Sequence, residues 1–246
     1  MKMKNMLMAA ALAACLGGWS GAASAAATAT SLIGPLRVAL LDLTPDDGVA
    51  PSFELQLVNG GPEVLSKNIW MSSEGQYPNY GTSGYGTLTR SLTGVSAEST
   101  LTPTSQYSEV NAGGVPLTLG AGANVRSYWI SGFTLGPNTE VRIMADLTLS
   151  AMHAEGETAV AEANLVINGV PNAGSEDYYI DTGSYSGSFW RTTYSGDTAL
   201  QGTLSLSAGA SAFAPASPVP EPGTWAMLLA GFAIVGAATR SGRQRR

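Results

Sequence analysis

The sequence is poor in the residues that most often do chemistry. Of its 246 residues one is a cysteine, Cys15, and one is a histidine, His153. Cys15 lies in the N-terminal apolar stretch, so the segment after it offers no disulfide, no thiolate metal site and no thiol nucleophile. A domain of about 200 residues buries enough surface to fold without such staples. A Ser/His/Asp triad could draw only on His153, and nothing pairs that residue with a nucleophile. The Gly-x-Ser-x-Gly elbow is missing: Gly183-Ser184-Tyr185-Ser186-Gly187 has tyrosine at the nucleophile position, and Gly81-Thr82-Ser83-Gly84-Tyr85 lacks the last glycine. Phosphate-cradling loops and basic patches are absent too.

Charge is scarce, at 12% of residues. Between residues 26 and 217 there are seventeen acidic side chains against six basic ones (Arg37, Lys67, Arg90, Arg126, Arg142 and Arg191), a formal −11. The whole-chain value of −6 hides this because both ends are basic. Such a surface repels nucleic acid and anionic headgroups, so no nucleic-acid partner is expected. His153-Ala154-Glu155-Gly156-Glu157 supplies one imidazole and two carboxylates, too few for zinc, and reads as a solvated loop tip. Asp46-Asp47-Gly48 and Glu176-Asp177…Asp181 lack EF-hand spacing and read as turns. Neither a metal nor a cofactor is expected. A glycosidase needs only two carboxylates at a set separation, so a secreted polysaccharide hydrolase stands as the alternative to a non-catalytic module.

No amphipathic helical pattern runs between the two ends of the chain. The period there is two. Val141, Ile143, Ala145, Leu147 and Leu149 share one face of a strand, with Arg142, Asp146 and Thr148 on the other. Ala159, Ala161, Ala163, Leu165 and Ile167 repeat the pattern, and the join through Gly156 predicts a hairpin over 139–168. Phe53, Leu55 and Leu57 precede an Asn59-Gly60-Gly61-Pro62 turn. Leu36, Val38 and Leu40 open the first predicted strand, Val125 to Phe133 forms another, and Leu200, Leu204 and Leu206 a last. Ser72 to Pro116, rich in Gly, Ser, Thr and Tyr, predicts long loops with two edge strands. The expectation is an all-β protein whose ectodomain, residues 26–207, is an antiparallel β-sandwich. Residues 208–218, Ala, Ser and Pro, predict a linker.

The two ends are signals. Lys2 and Lys4 precede an apolar run, Met6 to Leu16, and Ala23-Ser24-Ala25 is an A-x-A site, so residues 1–25 read as a signal peptide cut by signal peptidase before Ala26. Leu12-Ala13-Ala14-Cys15 also fits a lipoprotein box. At the other end, Pro220 and Pro222 hold the backbone extended and keep Pro220-Glu221-Pro222 out of a helix. Trp225 to Ala238 is uncharged and apolar all round, as a helix buried in lipid is. It spans about 21–24 Å, short of the ~30 Å hydrocarbon core, a gap that thinning and snorkelling arginines close. Trp225 marks one rim; Arg240, Arg243, Arg245 and Arg246 mark the cytoplasmic side. A buried terminal helix with a solvated tail is the plainer alternative.

Pro-Glu-Pro-x-x-Trp-Ala, an apolar helix and an arginine cluster, in that order over residues 219–246, closely resemble the PEP-CTERM sorting signal. The resemblance implies a protein exported by a Gram-negative bacterium. It implies an exosortase that recognises Pro220, Glu221 and Pro222 and removes the helix. It also implies transient residence in the inner membrane, a final address at the cell surface or outside the cell, and association with exopolysaccharide or biofilm. A permanently anchored, unprocessed structural protein is a further alternative.

The aromatic residues carry what remains. Trp70, Tyr77, Tyr80 and Tyr85 form one cluster in the sequence, and Tyr178, Tyr179, Tyr185, Phe189, Trp190 and Tyr194 another. Two readings are open. In one, Trp70, Trp129 and Trp190 fill the core and the tyrosines decorate turns. In the other, Tyr178, Tyr179 and Trp190 make a flat platform on which a glycan stacks.

Overall fold

The computed structural model describes residues 26–56, 63–115, 117–217 and 231–232. Cys15, Ala23 and Ala25, the sorting residues Pro220, Glu221, Pro222 and Trp225, and Arg240, Arg243, Arg245 and Arg246 lie outside the described residues. The chain divides into two units, Met1–Ala216 and Ser217–Arg246. Of the second, Gly231 and Phe232 are described, and both are helical. No helix among the described residues is long and apolar enough to cross a membrane.

The first unit is built of strands: β1 (Ala26–Asp42), β2 (Phe53–Gln56), β3 (Val64–Ser73), β4 (Asn79–Ser83), β5 (Gly86–Leu92), β6 (Val95–Leu101), β7 (Gln106–Gly113), β8 (Ala121–Leu135), β9 (Thr139–Met152), β10 (Thr158–Asn168), β11 (Gly174–Ile180), β12 (Gly183–Tyr194) and β13 (Leu200–Ala214). They form two antiparallel sheets packed face to face. One is six-stranded, in the order β12-β9-β1-β7-β6-β5. The other is seven-stranded, in the order β11-β10-β13-β8-β3-β4, with β2 paired to β8 beyond the end of β3. The all-β sandwich expected from the period-two pattern is present, and inward faces alternate with outward ones as that pattern requires.

Several expectations of detail are corrected. Residues 139–168 are not a hairpin: β9 pairs with β1 and β12, whereas β10 pairs with β11 and β13 in the opposite sheet. The loop at 153–157 crosses between sheets, because an alternating strand shows the same pattern whether its sequence neighbour lies beside it or across the core. Residues 72–116 hold β4, β5, β6 and β7 rather than long loops. Their inward positions are filled by Ala97, Ser99, Ser108 and Ala112, all buried, which leave little hydrophobic pattern to read. The first strand begins at Ala26 rather than Leu36 for the same reason, with Ala27, Ala29 and Ser31 facing in. The stretch expected as a linker, 208–218, is strand as far as Ala214, with Ala208, Ala210, Ala212 and Ala214 buried. β11 and β12, which lie in opposite sheets, show little apolar alternation either, since serine, glycine and tyrosine make up much of them.

Two apolar clusters fill the space between the sheets. One is rich in alanine: Ala27, Ala29, Ala97 and Ala112 of the six-stranded sheet share it with Ala121, Ala123, Ala210, Ala212 and Ala214 of the other, beside larger residues such as Ile69, Met71, Val110 and Val125. The second holds the large side chains, among them Trp129, Phe133, Ile143, Leu147, Leu149, Leu165, Ile167 and Phe189. Buried polar groups bond across the sheets. Ser31 Oγ donates to the Glu162 carbonyl at 2.7 Å, Ser108 Oγ to the Ala208 carbonyl at 2.8 Å, and Gln106 Nε2 to the Leu206 carbonyl at 3.3 Å. Each bond satisfies a buried donor and ties one sheet to a fixed position on the other.

The sandwich edges are closed by strands that change sheets. β11 ends the seven-stranded sheet and β12 the six-stranded one, so the turn between them bridges one edge. β4 and β5 bridge the opposite edge. There Lys67, 1% exposed and facing inward from β3, donates its ammonium to the Gly84 carbonyl in the β4–β5 turn. Burial pulls the Lys67 pKa below its ordinary value.

Candidate functional site

Among the described residues, three of the concavities on this scaffold lie beside exposed aromatic side chains, Tyr85, Trp70 and Trp190. The first follows from a break in β1. Its register against β9 shifts between Ile33 and Leu36, around Gly34-Pro35, and its pairing with β7 ends at Ile33. Pro35 has no amide to give a neighbouring strand, so the far half of β1 runs with that edge unpaired. The sheets part there and leave a cleft of about 330 Å³. Leu36, Val38, Leu55, Trp129 and Leu206 give it an apolar lining, and Thr102 to Gln106 form one wall. At the mouth, Tyr85 donates its hydroxyl to Glu63 at 2.6 Å. Burial, then the hydrogen bond and the negative charge of Glu63, push the Tyr85 pKa up to about 12, with a bond from Trp129 acting in the opposite sense. Tyr85 is therefore a neutral donor at physiological pH.

The second concavity, about 310 Å³, lies on the outer face of the seven-stranded sheet between Trp70 of β3 and Phe213 of β13. Gly122 and Asn124 of β8 form its floor. Residue parity explains it. Ile69 and Met71 point into the core, so Trp70 points out. A side chain at Gly122 would bring its Cβ within 2.9 Å of the Phe213 ring and 2.8 Å of the Ala212 carbonyl, so glycine lets the ring lie close over the sheet.

The third, about 320 Å³, is lined by Asn172, Glu176, Trp190, Arg191 and Thr192 beside the β11–β12 edge. Glu176 accepts from the Trp190 amide at 2.9 Å and from the Tyr178 hydroxyl at 3.1 Å. Among the described residues, none of these three concavities brings two carboxylates together. Glu98 and Glu109 do face each other in the β6–β7 ladder, on the outer side of the six-stranded sheet. There they are held by hydroxyls and an amide: Thr100 Oγ1 lies 3.2 Å from Glu98, and Asn111 Nδ2 lies 2.8 Å from Glu109. Burial, then the neighbouring Glu109, push the Tyr107 pKa upward.

The structure places the three residues of the sequence-derived platform on three different surfaces. Tyr178 faces inward at the sandwich edge, its ring 5.0 Å from Tyr185 and 6.4 Å from Phe189. Tyr179, 63% exposed, points out of the seven-stranded sheet. Trp190, 47% exposed, points out of the six-stranded one, with the Arg142 guanidinium 4.3 Å above its ring. Adjacent residues of a strand take opposite faces, so Tyr178 and Tyr179 cannot share a platform. The core reading of the tryptophans holds for Trp129, at 9% exposure, and fails for Trp70 and Trp190. The chemistry-bearing loops read as turns are hydrogen-bonded turns. Asp47 accepts from Thr44 Oγ1 at 2.6 Å and from the Val49 amide at 2.7 Å, which lowers its pKa. Glu157 accepts from the Ala154 amide at 3.0 Å in the His153 loop.

A family model for the PEP-CTERM protein-sorting motif matches residues 218–246. No curated protein and no solved structure matches the chain.

Proposed function

We propose a two-signal life history for this chain, from the PEP-CTERM protein-sorting motif matched at residues 218–246, a motif that suggests export and exosortase targeting. Residues 1–25 direct export and are removed by signal peptidase after Ala23-Ser24-Ala25. The sandwich folds outside the inner membrane. Residues 225–239 hold it there as a helix, with Arg240, Arg243, Arg245 and Arg246 on the cytoplasmic side. An exosortase recognises Pro220-Glu221-Pro222 beside Trp225, cuts near it, and passes the ectodomain to the surface or the extracellular matrix. The observation that carries this reading is the order of the parts in the sequence of residues 218–246, where a family model matches: Pro-Glu-Pro, an uncharged apolar run, then arginines.

The ectodomain itself acts as a non-catalytic module associated with exopolysaccharide. Support for the non-catalytic part is that the inter-sheet cleft contributes Glu63 alone, the β11–β12 concavity Glu176 alone, and the outer-face slot no carboxylate. Two-carboxylate hydrolysis has no seat in any of them. The test is to express Glu221→Ala and Pro222→Ala variants in the native host and follow the protein by fractionation. Both should accumulate uncut in the membrane while the native chain leaves it. Variants processed like the native chain would overturn the reading.

A further inference from the structure

We infer that the outer-face slot between Trp70 and Phe213 is a binding site for a neutral polysaccharide chain. Trp70 is 45% exposed and Phe213 41% exposed. They stand on either side of β8, two strand spacings or about 9.5 Å across the sheet and offset by two residues, about 7 Å, along it, since Trp70 pairs with Asn124 and Phe213 with Gly122. Each is a large apolar surface that solvent reaches, and the Phe213 ring is held close over the sheet because residue 122 is glycine. A pyranose ring presents the matching surface, an apolar face of C–H groups edged by hydroxyls.

The rest of the slot supplies partners for those hydroxyls. Asn124, Ser211 and Thr158 line it, and none of the three has a side-chain hydrogen bond among the described residues. An amide offers two donors and an acceptor, and a hydroxyl offers both roles. Among the described residues no charged side chain lines the slot, and the surrounding domain is acidic. Anionic chains are disfavoured there, and cationic ones find no counter-charge within it. A flat aromatic pair, an uncharged floor and unoccupied amide and hydroxyl groups together fit a neutral sugar chain lying across the sheet. The slot is open along its length, so it takes an internal stretch of a polymer as readily as an end.

The inference rests on the reading of the ectodomain as a non-catalytic module and is independent of processing at the C-terminus. It is tested on the purified full chain in detergent by isothermal titration. The probes are neutral hexasaccharides of glucose, mannose and galactose, with hexagalacturonate as the charged probe. At least one neutral probe should bind and hexagalacturonate should not. Trp70→Ala and Phe213→Ala should each weaken that binding about tenfold or more, as loss of an aromatic anchor does. Trp190→Ala, on the opposite sheet, should leave it unchanged. Gly122→Val fills the floor but also strains the sheet; Asn124→Ala, which only removes the amide, should weaken binding with an unchanged melting temperature. The inference is overturned by three results: no neutral probe bound, affinity indifferent to Trp70→Ala, or a dimer of the native chain that Trp70→Ala dissociates. Failure here with normal membrane release would leave the sorting account intact; binding by a chain that is never cut would do the reverse.

Discussion

Leu165→Ala and Ala210→Leu change side-chain volume in opposite directions, and both should destabilise the sandwich. Leu165 is fully buried among the large side chains of one cluster, where Phe133, Ile143, Leu147 and Leu149 also lie. Truncation removes its transfer free energy and leaves a cavity that a two-sheet core closes only in part, a loss of about 2–5 kcal/mol. Ala210, 2% exposed, lies in the other cluster, where alanines of one sheet meet alanines of the other. Where alanine faces alanine, methyl groups fill the gap only if the sheets approach closely, though Ile69, Met71 and Val110 fill other parts of the same cluster. The cross-sheet bonds from Ser31 and Ser108 hold the sheets at that distance. Leucine at 210 should therefore overpack the interface and cost about 1–3 kcal/mol. At ~2–4 °C per kcal/mol for a domain of this size, both variants should melt measurably lower than the native chain. Guanidinium unfolding followed by tryptophan fluorescence and by circular dichroism gives both values. A stabilising Ala210→Leu would mean that the alanine half has room to spare, and the close approach of the sheets would be wrong.

Tyrosine ionisation should be staggered. Tyr85 should titrate near pH 12. Tyr107 and Tyr178 are also pushed upward, Tyr178 chiefly by its hydrogen bond with Tyr185 and then by burial. Because these values are raised on folding, the stability they contribute is present below the unfolded tyrosine pKa near 10 and is lost as pH rises through the folded values. Absorbance at 295 nm should show a component that ionises well above pH 10, and Glu63→Gln should bring Tyr85 into an earlier pH range; a folded protein without that late component contradicts the geometry. Lys67 has the opposite sign. Its pKa is lowered by burial, so the unfolded chain binds more protons between the folded value and about 10.5, and stability rises with pH across that window. The melting temperature of Lys67→Met relative to the native chain should thus fall as pH is raised from 7 towards 10, and a constant difference would show Lys67 to be solvated.

The strands that sequence disclosed are those with large inward residues. Val141 to Leu149 and Ala159 to Ile167 alternate strongly enough to read by eye. Strands whose inward positions are alanine and serine were hidden: β6, β7, the first part of β1 and the last part of β13 bury small groups, and composition alone makes them resemble loops or linkers. Pairing was hidden for another reason. The chain from β9 to β10 changes sheets through a loop whose glycine suits a hairpin equally well. Among candidate site residues, parity held the decisive information. Trp70 lies between Ile69 and Met71, and that spacing already places it on the outer face. Phe213 was masked by the alanines around it, which gave the strand the look of a linker. Gly122 carries no sequence signal until the ring above it is seen.

Intact mass of the mature protein from its native host reads processing at both ends in one measurement. Membrane, surface and medium fractions should be measured separately, with the N-terminus determined in each. The mature chain should begin at Ala26, end close to Pro220-Glu221-Pro222, and be found outside the inner membrane. A mature chain that keeps Trp225 to Arg246 and stays in the membrane would contradict processing by an exosortase.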